Sequence, residues 1–266
     1  MGISRGADIF GQSAKAHGVL CPRMTIDHLS HLAANADALA EAVAIGAADA
    51  PIAGCPGWTL SQLAVHVGGV HRWARVAAAT GAPPLIDPAD DPAPSTMSGL
   101  AAWLRSGAEQ LSATLLLLDP AAPTWHPFPV EPKVAGLWPR RQAHETAVHR
   151  IDAELAIGRT AMLDAEFAAD GVDEYWHVML PRMLTRERRT PPSSRLAVEL
   201  TDTGRRWVAS GADGVVSVVS GDAAAVVRGS SLNVLLRLWG RAVPAGSITV
   251  IGDATVATEW LALGGS

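Results

Sequence analysis

The chain has 266 residues, enough for one large domain or two ordinary ones with a sizeable core. A formal net charge of −5 and a pI near 6.0 give no global attraction to nucleic acid or to an anionic membrane. No apolar run approaches the ~20 residues of a membrane span. The two cysteines, Cys21 and Cys55, are far apart and form no CxxC pair, which argues against a disulfide framework or a cysteine zinc cage and fits a reducing cytoplasm.

Residues 1–23 carry Arg5, Lys15 and polar breaks in place of the sustained apolar core of a signal peptide, and read as a disordered leader or an upstream start. From Met24 to Ile45, Ile26, Leu29, Leu32, Ala36, Leu39 and Val43 recur at helical intervals, with Thr25 or Asp27 as the start. His28 and His31 flank that stripe without a nearby carboxylate partner, and the expectation is surface histidines. Cys55 is expected to be an ordinary loop residue, with a reactive thiol near the site as the alternative. Thr59 and Gln62 make a capping box, so a second helix starts there and runs to about Thr80. Leu63, His66, Val67 and Val70 form its apolar stripe, which turns His66 inward as either a core histidine or a ligand. His71 is rotated off that face and is expected on the solvated one.

Residues 81–95 hold five prolines and no periodicity, so they form a loop. A third helix is expected from about Met97 to Leu118, with Leu100, Trp103, Leu104, Leu111, Leu115 and Leu118 as its stripe, stopped by Asp119-Pro120. In the linker 121–136, His126 could line a pocket, although Trp125-His126-Pro127-Phe128-Pro129 reads more readily as a stiff connection packing Trp125 and Phe128 on a bundle.

The run from Trp138 to Leu155 reads as a helix and contains His144-Glu145-Thr146-Ala147-Val148-His149. In a zincin, two histidines four apart share a metal. Here they are five apart, which rotates them by roughly 140° and leaves Glu145 and His149 as the pair on one face. Such a pair is often a surface couple. With His66 from a facing helix, however, it would make two histidines and one carboxylate around an ion with open positions, the pattern of a catalytic site. Asp152, three residues on, either bonds the free ring nitrogen of His149 or makes an exposed salt bridge with an arginine.

A further helix, Asp164 to Leu184, carries Phe167, Val172, Tyr175, Trp176 and Met179, with His177 on its surface. Residues Arg186 to Ser194 read as a boundary. Beyond it the period changes to strand: Leu196 to Leu200 and Trp207 to Ala209 flank the turn Thr201-Asp202-Thr203-Gly204, and Val215 to Val219 and Ala223 to Arg228 follow. A short helix from Ser230 or Ser231 through Trp239, a strand Ile248 to Ile251 and a closing helix from Asp253 complete a small α+β unit. From Met24 onward no G-x-S-x-G elbow, P-loop or Rossmann glycine pattern is present.

The segments Cys55-Pro56-Gly57-Trp58-Thr59 through His66 and Arg140-Arg141-Gln142-Ala143-His144-Glu145 through His149-Arg150-Ile151-Asp152 resemble the mycothiol-dependent maleylpyruvate isomerase family of the DinB-like metalloprotein group. The resemblance implies an all-α N-terminal DinB-like four-helix bundle over residues 24–186, followed by a small α+β domain over 195–266. It carries three metal ligands onto His66, Glu145 and His149, with zinc the expected ion and mycothiol the thiol cosubstrate. Through Leu238-Trp239-Gly240-Arg241 it carries an activity-linked arginine onto Arg241, which otherwise reads as a carbonyl-capping cation. The implied enzyme adds a metal-bound thiolate to an electrophilic double bond, and cis-trans isomerisation follows as the bond rotates and the thiol leaves. A mycothiol S-transferase acting on another electrophile and a non-catalytic metal or ligand binder are the alternatives. The partners implied are small molecules, with no nucleic acid and no membrane. Scarce lysine and abundant alanine fit the GC-rich actinobacteria that make mycothiol.

Overall fold

A computed structural model describes residues 26–160 and 162–264. The expected leader, Cys21 and the Thr25 cap candidate lie outside the described residues.

Four helices come first: α1 (His28–Ile45), α2 (Leu60–Thr80), α3 (Met97–Leu116) and α4 (Leu137–Ala156). Each of the first three starts where a short polar side chain can satisfy an orphan N–H. Asp27 accepts from Ser30 N, and Thr96 accepts from Gly99 N. At α2 the capping box is complete, with Gln62 Oε1 accepting from Thr59 N at 2.9 Å. Pro139 sits in the first turn of α4, where its missing N–H costs no helical bond. Leu39, Val43, Leu60, Leu63, Val67, Leu100 and Leu104 fill the interior of the bundle at one end. Leu32, Leu111, Phe128, Trp138 and Phe167 fill it at the other.

The expected fifth helix is two. The first, α5 (Ala165–Glu174), passes through a π-helical turn (Tyr175–Met179) into α6 (Leu180–Glu187). Pro181 has no N–H to give the carbonyl one turn back, so the regular ladder cannot run through this point. A five-stranded sheet follows: β1 (Leu196–Leu200), β2 (Arg206–Ser210), β3 (Ser217–Val219), β4 (Ala225–Gly229) and β5 (Ile248–Gly252), in the order β3-β2-β1-β4-β5. The β1/β2 hairpin closes through Gly204 at φ 68°, a left-handed position that glycine takes without penalty. The β1/β4 pair is parallel and the other pairs are antiparallel. Helices α7 (Ser231–Leu238) and α8 (Ala254–Leu261) complete the unit.

One face of the sheet, with Leu196, Val198, Leu200 and Val227, shares a core with Leu235 of α7 and Trp260 of α8. Ala168, Val172, Trp176 and Leu180, from α5, the π turn and α6, belong to that same core. The α5–α6 segment therefore packs on the sheet, and Trp207 Nε1 also donates to Asp173 Oδ1 at 2.9 Å. This packing brings α6 and the turn after α7 against α2 and α4, where one cavity opens between them. No helix of the described residues is long and apolar enough to cross a membrane.

Candidate metal centre

That cavity, about 560 Å³, is lined by Cys55 and Trp58 before α2, His66 of α2, Arg141, Glu145 and His149 of α4, Arg182 and Arg186 of α6, and Trp239 and Arg241 after α7. The helical spacing of Glu145 and His149 and the inward stripe of α2 bring three donors together. One ring nitrogen each from His66 and His149 and one oxygen of Glu145 lie within 4.8 Å of one another. Glu145 Oε1 is 3.3 Å from His66 Nε2 and 3.5 Å from His149 Nε2.

The neighbours orient each donor. Arg141 Nη2 donates to Glu145 Oε2 at 2.9 Å, which turns the other oxygen toward the two rings. His149 Nδ1 donates to Asp152 Oδ2 at 3.1 Å, which fixes the tautomer and leaves the Nε2 lone pair facing Glu145 and His66. Trp58 packs edge-on against His66, with ring centroids 4.9 Å apart. Burial opposes the charge on Glu145, yet His149, His66 and Arg141 outweigh it and hold the carboxyl well below the usual range. Burial likewise opposes a proton on His149, but Asp152, Cys55 and Glu145 outweigh it, so the ring is a stronger base than usual. A pair that draws positive charge this strongly suits a divalent cation.

A second cluster, His28, His144 and Asp170, also brings two ring nitrogens and a carboxylate together. Both histidine Nε2 atoms lie 2.8 Å from Asp170 Oδ2. Its surroundings differ in two ways. Arg140 already occupies Asp170 through two guanidinium contacts, and the buried Nδ1 of His144 has no hydrogen-bond partner among the described residues. Metal-bound histidines almost always donate through the other ring nitrogen. The cluster therefore suits a polar clip joining α1, α4 and α5 better than an ion. The third set of grouped donors, Cys55, His149 and Asp152, is occupied from the side by Arg241.

Arg241 is buried, and its three nitrogens are all engaged. Nε donates to Asp152 Oδ1 at 3.1 Å, Nη2 to Asp152 Oδ2 at 2.7 Å and Nη1 to the Trp239 carbonyl at 2.8 Å. Of the two accounts of Asp152, the contact to His149 holds, and it is joined by a buried rather than exposed arginine pair.

Several expectations need correction. His28 is not a free surface residue, because α5 supplies the Asp170 carboxylate that its own helix lacks. His71 is fully buried and bonded to Thr146 Oγ1 at 2.9 Å, since α4 covers the face of α2 expected to be solvated. The 81–95 loop and the 121–136 linker line other grooves. The favoured reading of the linker holds: Trp125 and Phe128 pack on the bundle, and His126 is buried beside Phe128 and Trp138 and does not line the cavity. Arg141 carries no role of its own in the sequence reading, although its place four residues before Glu145 is a usable sign. Arg182 and Arg186 carried no local signal, because their place in the cavity depends on how α6 docks.

Residues 29–154 match the family model described as the mycothiol maleylpyruvate isomerase N-terminal domain, a span covering nearly all of α1 to α4. Two crystal structures share the fold of the chain. A mutant of the mycothiol-dependent maleylpyruvate isomerase, with a histidine changed to alanine, aligns with a TM-score of 0.56 at 14% identity, covering 85% of this chain and 93% of that one. The mycothiol-dependent maleylpyruvate isomerase itself gives 0.55 at 15% identity over the same shares. No curated protein matches the chain. Helices α1 to α4 thus match the mycothiol maleylpyruvate isomerase N-terminal domain, and the chain shares the fold of the isomerase structures.

Proposed function

We propose that the protein is a divalent-metal- and mycothiol-dependent enzyme of the maleylpyruvate isomerase type, with His66, Glu145 and His149 as the metal ligands and zinc as the ion. The observation that carries this reading is the set of three oriented donors at the wall of a cavity large enough for a thiol and a small electrophile. Two neutral rings and one carboxylate leave coordination positions open, as a catalytic site requires. When bound, the ion supplies Lewis acidity, which lowers the pKa of a thiol placed beside it.

The remaining work belongs to the chain. Arg141 holds Glu145 in its ionised form, and Asp152 holds His149 in the tautomer whose Nε2 is free. Arg241 holds Asp152 and so positions His149 from the C-terminal domain. Trp58 and Trp239 wall the cavity with apolar surface, which reduces access of water to the reacting thiol. An isomerisation by thiol addition, bond rotation and elimination needs no redox partner and returns the thiol.

The test is metal content of protein purified without added metal, for wild type and His66→Ala, paired with mycothiol binding by calorimetry and turnover of maleylpyruvate. About one ion per chain, lost in the variant, with thiol binding that needs the metal, is the expected result. Full metal in the variant removes the ligand assignment. Metal and thiol binding without maleylpyruvate turnover turns the reading to a thiol S-transferase, and metal without thiol binding turns it to a non-catalytic binder.

A further inference from the structure

Four arginines line the cavity, and they are not equivalent. Arg141 is committed to Glu145 and Glu174, and Arg241 to Asp152, Cys55 and a carbonyl. Arg182 and Arg186 make no ion pair among the described residues, and the acidic neighbour on α6, Glu187, is taken by Arg189. The two lie four residues apart on α6 and so share one face, an arrangement of like charges that weakens a helix when nothing compensates it. Arg182 is half-buried, with its guanidinium carbon 4.8 Å over the Phe128 ring, which braces the side chain. Burial, followed by the charges of Arg186 and Arg141, makes its protonated form harder to hold than usual. A braced Arg182 and an exposed Arg186 beside it, neither of them neutralised, are at the cavity wall the complement of a carboxylate, which they can grip through paired N–H donors.

We propose that Arg182 and Arg186 form the carboxylate-binding wall of this cavity, so that α6 holds the carboxylate of the small electrophile opposite His66, Glu145 and His149. The inference rests on the reading that this cavity takes a small electrophile, and it adds the residues that select it. Arg241 is less suited to that duty because Asp152 holds its Nε and Nη2 and the Trp239 carbonyl takes one N–H of its Nη1. An anionic substrate lowers the repulsion between Arg182 and Arg186, so binding also tightens α6 against the bundle.

The experiment is calorimetric titration of maleate, a cis dicarboxylate, into zinc-loaded protein: wild type, Arg182→Ala, Arg182→Lys and Arg186→Gln, each with its zinc content measured. Maleate is expected to bind wild type with an affinity that falls as salt rises, and to bind Arg182→Ala and Arg186→Gln about tenfold or more weakly at unchanged zinc content. The lysine variant, which keeps the charge and loses the fork, is expected between them. Equal affinity in wild type and both truncations, or no maleate binding to wild type, overturns the inference. Arg186 is exposed, so its variant reports even if Arg182→Ala folds poorly. Maleate binding that needs these arginines in a protein that does not turn over maleylpyruvate with mycothiol would strike the proposed reaction and leave the wall in place.

Discussion

Arg241 Nη2 lies 2.7 Å from Asp152 Oδ2, the oxygen that also accepts from His149 Nδ1 at 3.1 Å. A residue after α7 thus fixes the outer partner of a donor on α4, across 89 positions of sequence. Replacing Asp152 with asparagine should weaken metal binding by about ten- to a hundredfold, the usual cost of losing such a partner, while the helix remains folded. Chelator competition against wild type measures it. Unchanged affinity would show that Asp152 serves the domain contact alone. Arg241→Ala leaves the Asp152 charge buried beside His149 without its cation, and should cost about 3 kcal/mol of stability in urea unfolding as well as metal affinity.

How much of this could be read from the sequence divides along a physical line. The start of α2 and the inward face of His66 followed from Thr59, Gln62 and a helical stripe, all within a few residues. The Glu145/His149 pair followed from helical geometry alone. What His144 and His28 would meet did not, because Asp170 reaches them only after α5 has packed over the bundle. His71 was misjudged for the same reason: a face that looks polar in one helix is buried once Thr146 of another helix covers it. The π turn at Tyr175–Met179 had its cause, Pro181, in view, but propensity reads such a stretch as an uninterrupted helix.

The two histidine–carboxylate clusters should separate under mutation. His66→Ala is expected to lose the metal with little change in stability, because the His66 side chain is about a third exposed, at 36%. His144→Ala should keep the metal and lose roughly 2–3 kcal/mol, since it opens a buried cavity against Phe167 and removes a partner of Asp170. Metal analysis and urea unfolding of the same two samples decide between them. Loss of metal in His144→Ala with His66→Ala unaffected would reverse the assignment of the two clusters.

Stability should fall on mild acidification, and the sign follows from two buried rings. Burial pushes the pKa of both His71 and His144 down to about 4, below the 6.5 of the free side chain. Between these values the unfolded chain takes up protons that the native rings refuse, so stability is lost as pH falls from about 6.5 toward 4 and is unaffected by these rings above that window. The full effect is about 3 kcal/mol per ring by pH 4, as an order of magnitude. His149 and His177, both shifted upward, change their contribution above the window and do not cancel it. Urea midpoints at several pH values should therefore slope downward below pH 6.5. In His71→Gln the slope should be shallower, whereas an identical slope would mean that His71 is not the residue responsible.

Gly54 offers a way to disturb the centre without touching a ligand. A Cβ built there would meet Asp152 Oδ1 at 2.2 Å and Arg241 Nε at 3.0 Å, so alanine must displace the buried pair. The displacement should cost about 1–3 kcal/mol of stability, as overpacking of a filled interior does. Because Asp152 moves, His149 loses its outer partner, and metal affinity should fall about tenfold or more. Gly69 is the matched control, since a Cβ there meets nothing within 4 Å and alanine favours the helix by up to about 1 kcal/mol. Chelator competition and thermal unfolding on Gly54→Ala, Gly69→Ala and wild type give the comparison. If Gly54→Ala binds metal as tightly as the control, the chain from Arg241 through Asp152 to His149 does not govern the metal site.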